Sequence, residues 1–548
     1  MFELIFFSIL TVIILTPCGY IFNNHNSSNI TNLSNDLIYG LILISFITLV
    51  INFFFPLNII VNSLILLLPL LIFFKNIKIY FSFNFLKFII FNSIIVFLLI
   101  AKSNIYRPDA ILYHLPYTSI LNEEKIIFGL SNLHFRFAHI SIVQYFSAFF
   151  NNFIFKSEGI IYAVAIIASA VIVNFLSQTI YYLKNKEFNF HFFYLFFILV
   201  FIAYKMNRYG EYGNDAPTHF LFFFLVSEII QSFNNKKILF NSNNFILSIF
   251  IVLNKITMAF AIFLPFLFLN RKELNNILTI KSFFAVIFLS FWVLKNVIIS
   301  GCVIYPISKL CFQSLEWTNI TEVKNVSQEN EAWTKAWPDF KNINNISQIE
   351  YSKNFNWVST WSKTHLKKIA KILLPYFIFL VIVYLIIFVK YKDKNLNQNN
   401  INNKKYLVLI ILMAIFSIAW FLKVPVYRYG YSYFVSFLAL SFAYLCILKN
   451  PLRNNVYKFL MFFLILFTTV FILKNIIRIA KPESSKTSSF FPKIVFLNKS
   501  EIKKIKINDF IYTESTKMCG YGFAPCTHYL NKKLKSKKYN NYKVILVN

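Results

Sequence analysis

Little in this sequence belongs to a soluble enzyme. Charged residues make up only 14% of 548 positions, and acids are the scarcer sign, 22 Asp and Glu against 54 Lys and Arg. Glycine occurs 10 times and cysteine 6 times, and the glycines form no phosphate-cradling loop. The chain contains no H-E-x-x-H, no C-x-x-C and no G-x-S-x-G. Zincin, zinc-ribbon and serine-hydrolase chemistry in their usual forms are therefore excluded. An activity built on this chain does not use soluble nucleotide-binding machinery, and a membrane-embedded donor is the natural alternative.

What is abundant is apolar surface, with 57% hydrophobic and 20% aromatic residues. One globular core cannot absorb that much, whereas lipid replaces water around each helix of a membrane protein. The net charge of +32 could suggest nucleic acid, but the basic residues sit mostly in short clusters between apolar runs. That is the positive-inside pattern, so membrane lipids are expected as surroundings and no nucleic acid as partner. Heavy use of Phe, Ile, Asn and Lys also reflects an AT-rich coding bias. The positions of the lysines therefore carry more information than their number.

The apolar runs predict a mainly α, polytopic transmembrane bundle over 1–476 and a small C-terminal α/β or β extramembrane tail over 477–548. Candidate segments are 2–22, 38–55, 58–74, 86–101, 159–183, 189–205, 217–233, 281–299, 367–390, 405–422, 431–448 and 457–475. Residues 243–269 carry Asn254-Lys255 in mid-run and are expected to form two short half-helices, about fourteen segments in all. The first run has no basic n-region and reads as a retained helix. Six basic clusters, from Lys75, Lys78 and Lys87 to Lys449, Arg453 and Lys458, fall on one side on one condition. Segment 138–155 must then lie along the outer surface as an amphipathic helix. Outward loops are expected at 102–158, 206–216 and 301–366; loop 23–36, with no basic residue, also prefers the outside. Close cysteine pairs on that side agree: Cys519 with Cys526 in the tail, and Cys302 with Cys311.

Chemistry-bearing residues concentrate in the same loops. The stretch 101–137 holds Arg107, Asp109, His114, Glu123, Glu124, His134 and Arg136. A carboxylate just beyond a helix end, beside Arg107 and His114, suits a base or metal ligand at the membrane surface. A wet loop is polar for less interesting reasons, and Glu123 and Glu124 fit that reading better. Glu211 and Asp215 stand four apart in the second outward turn and offer hard oxygens to a divalent cation, Mg or Mn. Asp215 equally suits capping the helix that opens at Ala216-Pro217, and the two roles are compatible. Lys255, Lys295, Lys423 and Arg428 lie within or beside membrane segments. Such cations are suited to a phosphate or pyrophosphate; Lys423 fits simple snorkelling to headgroups.

The local sequences Asp109-Ala-Ile-Leu-Tyr-His-Leu-Pro116, Gly129-Leu-Ser-Asn-Leu-His-Phe-Arg136, Trp292 to Asn296, Ser300-Gly301, Tyr305-Pro306, Pro425 to Gly430 and the Cys519/Cys526 tail form a pattern. It resembles the GT-C superfamily of glycosyltransferases, and within it a group of bacterial inner-membrane proteins. The resemblance implies transfer of a sugar from a polyprenyl-phosphate donor to a lipid or glycan acceptor at the outer side of the bacterial cytoplasmic membrane. It makes Asp109 the first-loop catalytic acid, with His114 beside it. Asp215 and Glu211 become the second-loop acids, and Arg107, His134, Arg136, Lys255, Lys295 and Arg428 substrate-holding residues. The superfamily's paired acidic motif is missing, since Arg107-Pro108 precedes Asp109, which leaves metal dependence open. Two other readings compete: a lipid-linked polysaccharide polymerase or ligase, and a transporter or flippase.

Overall fold

Asparagine does much of the helix-starting in this chain. The first four N–H groups of a helix lack intrahelical partners, and a side-chain oxygen at the cap satisfies one of them. Asn29, Asn58 and Asn189 accept from Asn32, Val61 and Phe192 N–H in this way, as Ser82 and Thr279 do for Phe85 and Ser282.

In the computed structural model these starts and the apolar runs give twenty α-helices among the described residues. They are α1 (Phe2–Asn23), α2 (Ile30–Asn52), α3 (Ile59–Ile65), α4 (Leu67–Lys75), α5 (Ile77–Tyr80), α6 (Phe83–Ile100) and α7 (Leu115–Glu123). Next come α8 (Ile142–Phe149), α9 (Tyr162–Asn185), α10 (Phe190–Lys205), α11 (Asp215–Asn234), α12 (Ser242–Asn254), α13 (Ile280–Ser300) and α14 (Ile320–Thr334). The last are α15 (Gln348–Ser352), α16 (Val358–Trp361), α17 (Lys367–Val389), α18 (Asn400–Lys423), α19 (Tyr427–Leu448) and α20 (Arg453–Ala480). The structure describes every residue except 24, 26–27, 104–106, 208–211, 235–239, 270–276, 342–344, 390–399, 449–452, 482–489, 493, 495, 497–501, 509, 517, 530–532 and 548.

Among the described residues, 10 helices are long and apolar enough to cross a bilayer, and Ile59–Lys75, Phe190–Lys205, Ser242–Asn254 and Ile256–Phe266 are shorter apolar helices. The apolar stretch around Lys255 is interrupted as the buried charge requires. α12 ends at Asn254, Lys255 is extended (φ −152°, ψ 112°), and a tighter helix runs from Ile256 to Phe266.

Two expectations need correcting. The helix within segment 138–155 does not lie along a surface: α8 covers eight residues and all of them are buried, while Phe153 and Ile154 beyond it are exposed. The turn after α1 does not share the end of the molecule that carries the 102–158 loop. Asn243 donates to Asn23 Oδ1 at 3.1 Å and the Lys281 ammonium to the Phe22 carbonyl, so the turn sits at the end where α12 and α13 begin. Moreover α2 starts at Ile30, earlier than position 38, and its buried Asp36 accepts from Asn23 at 2.8 Å and meets His25 at 2.7 Å. A polar residue with partners does not end the helix. α1 and α2 cross at Gly19 and Gly40; a Cβ on Gly19 would stand 1.8 Å from the Asp36 carbonyl oxygen.

The tail forms two small sheets. β1 (Ile502–Ile507) pairs antiparallel with β2 (Phe510–Ser515), and β3 (Cys526–Thr527) pairs parallel with β2. β4 (Leu534–Tyr539) and β5 (Tyr542–Val547) make an antiparallel pair. Both disulfides, Cys519–Cys526 and Cys302–Cys311, are formed. The tail is joined to the 102–158 loop: Phe128 N–H donates to Lys543 O at 3.0 Å, and Ile545 N–H to Phe128 O at 2.9 Å.

Candidate active site

Four separate parts of the chain supply one cluster of charge. Asp109 follows the end of α6, whose last carbonyls are held by a residue from far along the chain. Arg478, near the end of α20, donates to Ala101 O at 2.7 Å and to Leu98 O at 2.5 Å. Cations suit a helix C-terminus, where carbonyls lack partners. After Asp109 the backbone makes a wide π-turn over Ala110–His114 before α7 begins.

Asp215 opens α11, with Pro217 in its first turn, the position where a missing N–H is harmless and an acid favours the helix dipole. Lys255 stands at the C-terminal end of α12, where a cation is favoured for the opposite reason. Arg428 lies in the first turn of α19, and its carbonyl accepts the His219 Nε2 proton at 2.8 Å. Because a carbonyl can only accept, Nε2 carries the proton and Nδ1 accepts the Ser432 hydroxyl at 2.8 Å. α11 and α19 are thereby fixed to each other beside the cluster.

Arg428 bridges the two acids. Its Nη1 is 2.9 Å from Asp109 Oδ2 and its Nε 3.8 Å from Asp215 Oδ2. Arg136 Nη1 reaches the other Asp109 oxygen at 3.3 Å, and the Lys255 ammonium pairs with Asp215 Oδ1. Asp109 and Asp215 side chains are 33% and 29% exposed and Arg136 and Arg428 38% and 42%, whereas Lys255 is 8% exposed, so the cluster is open at its carboxylates and guanidiniums and closed behind the lysine. Removing Asp215 alone would strand the buried ammonium, a change that costs roughly 3–5 kcal/mol in buried pairs. Rings frame the cations. Lys255 lies 4.0 Å from the Tyr429 ring centre, Arg136 4.9 Å from that of Tyr113 and Arg428 5.7 Å from that of Trp333.

Burial opposes ionisation of Asp109, but Arg428 and Arg136 beside it prevail and hold its carboxyl below the usual range. His114 behaves differently. Burial pushes it down to about 4 against the pull of Asp109 and Asp215, and Gln144 Nε2 donates to its Nδ1 at 2.9 Å. It is a neutral, buried ring held by the Gln144 amide.

The other sequence-expected residues lie elsewhere. His134 is buried under the tail, its ring 4.8 Å from His528 and 4.9 Å from Tyr529, and its Nδ1 accepts Arg136 N–H at 3.1 Å. Arg107 is exposed at the start of the π-turn, where its carbonyl accepts Ala110 N–H at 3.1 Å. Lys295 is fully buried in α13, 3.4 Å from the Trp292 ring centre. Glu211 lies outside the described residues. Sequence reasoning passed over Tyr429 and Trp333. Adjacency to Arg428 pointed to the first, and no signal in the sequence pointed to the second.

Glu211, expected to share a divalent cation with Asp215, is not among the cluster's described acids, which are Asp109 and Asp215. Each is already neutralised by cationic side chains, and no group of three or more His, Cys, Asp or Glu suited to a metal occurs among the described residues. Three cations against two carboxylates suit an anionic group instead.

Fold and cluster together define a multi-pass membrane protein with a charged, ring-framed site at one end of its bundle. Residues 1–435 match a family described as "Domain of unknown function (DUF8201)", and the chain belongs to that family. Comparison with curated proteins and with solved structures gives no match.

Proposed function

We propose that this protein is a membrane glycosyltransferase of GT-C type. It moves a sugar from a polyprenyl-phosphate donor to a hydroxyl of a lipid or glycan acceptor, at the outer face of a bacterial cytoplasmic membrane. The observation that carries this reading is the meeting of Asp109 and Asp215 on Arg428, with Arg136 and Lys255 behind them.

The chemistry follows from that arrangement. Asp109 takes the proton of the acceptor hydroxyl, the acceptor oxygen bonds to the anomeric carbon, and the bond from that carbon to the phosphate oxygen breaks. Polyprenyl phosphate leaves with the electron pair, and its charge falls on the guanidinium and ammonium groups. A carboxylate held by two arginines is a weak base. The donor phosphate competes for Arg428, and its departure from Asp109 raises that carboxylate's basicity when the substrate is in place. Asp215 keeps Lys255 in position throughout.

The test is transfer from radiolabelled polyprenyl-phosphate sugars in membranes containing wild type or Asp109→Asn at equal protein level. Labelled product that falls at least 100-fold in Asp109→Asn supports the base role, since positioned bases contribute about 10²–10⁴ in rate. Undiminished transfer in Asp109→Asn removes Asp109 from the reaction and turns attention to a polymerase-type mechanism.

A further inference from the structure

The ring closed by Cys519 and Cys526 contains Gly-Tyr-Gly-Phe-Ala-Pro, and both of its cysteines are buried. Gly522 takes φ +89°, a region that side chains disfavour, so the ring is shaped for one backbone path. That path runs along the segment carrying Asp109. Gly520 N–H donates to Ile111 O at 2.9 Å, inside the π-turn. Gly522 N–H donates to Ser119 Oγ at 3.0 Å and Ala524 N–H to Glu123 Oε2 at 3.2 Å. The Tyr521 hydroxyl donates to Asn122 Oδ1 at 3.0 Å and accepts from Asn151 Nδ2 at 3.2 Å.

Positions 119, 122 and 123 share one face of α7, because residues three and four apart are neighbours on a helix. The ring therefore grips α7 along that face and the π-turn by its backbone. The π-turn is a single five-residue π-helical turn without a side-chain cap, a rare geometry that runs straight into α7 and is held by contacts from outside it. Asp109 sits at its first end, two residues before the gripped carbonyl.

We propose that the disulfide-closed ring is a clamp that positions Asp109, with Tyr521 as its positioning residue. The tail then belongs to the site even though none of its described side chains touches Asp109. With the ring open, the π-turn loses the register that brings its carboxylate to Arg428 and Arg136. The consequence for rate rests on the transferase reading; the clamp itself does not.

The experiment is hydrogen exchange on the full chain in nanodiscs, comparing wild type with the double variant Cys519→Ser, Cys526→Ser. Amides of 109–123 are expected to exchange at least tenfold faster, with α1 and α2 unchanged. Unchanged exchange over 109–123, with faster exchange confined to 502–547, overturns the proposal. Tyr521→Phe keeps the ring and guards against a misfolded double variant. It is expected to speed exchange over 115–123 by several-fold, and no change there removes Tyr521 from the clamp. In the transfer assay both variants are expected to lower kcat with the donor KM unchanged; a rise in KM alone contradicts positioning of the base. If wild type transfers nothing, the exchange arms still decide whether the clamp exists.

Discussion

Arg428 touches both acids, so its removal leaves two carboxylates sharing a half-buried space with Lys255 and Arg136. Replacement by Gln is expected to raise the Asp109 carboxyl from its depressed position, because burial then meets less opposition. The sign follows directly. In wild type the stabilisation from pairing Asp109 is complete above the ordinary carboxylate value and fades as pH falls through the lowered native one. In Arg428→Gln the acid limb of transfer, and of thermal stability, should move to higher pH. An unmoved limb in pH–rate and unfolding profiles would show that Arg136 alone controls Asp109. His114 adds no limb near neutrality, since burial keeps it neutral down to about 4. Asp109, Arg136, Lys255 and Arg428 were legible as candidates because a charge beside an apolar run needs a reason. Their pairing was not legible, since it joins positions 319 apart in the case of Arg428 and Asp109.

Among the elements, the crossing of α1 on α2 is the most exacting. Helices approach this closely only where a side chain is missing, and the Asp36 carbonyl occupies the space a Gly19 Cβ would need. Gly19→Leu is expected to separate the pair and destabilise the chain by roughly 1–3 kcal/mol or more, the range for overpacked cores. Fluorescence-detected size exclusion after heating reads this directly, and an unshifted melting point would mean that α1 can move away without cost. Sequence periodicity located most of the long helices to within a few residues, because length and apolarity are local properties. It misjudged α8 and the start of α2 for one shared reason: which surface covers a helix, and whether a buried Asp has partners, is decided by residues distant in the chain. The break at Lys255 was legible, as an unbroken helix would have put an ammonium in lipid.

For the molecule as a whole, the described helices alternate in direction so that the cluster, the 301–366 loop and the tail share one end. The turn after α1 and the starts of α12 and α13 share the other. Fluorescent-protein fusions after residues 186 and 548 test which end is which. A signal from the first and none from the second is expected for an outward-facing site, since the fluorophore does not mature after export unfolded. The reverse result would place the cluster inside the cell.

The pairing of the tail with the 102–158 loop has a consequence in time. Asn132 donates to Ile545 O, a partner 413 positions further along the chain. At about 5–20 residues per second, a ribosome needs roughly 20–80 s to reach that partner after finishing the loop. Throughout that interval the bonds of Phe128 to Lys543 and Ile545 and of Asn132 to Ile545 are still unmade, and the Asp109 turn lacks its contact with the tail. Newly synthesised chains therefore pass through an immature form in which the bundle is threaded and the tail is not yet joined to the 102–158 loop. Whatever protease or chaperone inspects this protein has that window in which to tell a complete chain from a truncated one.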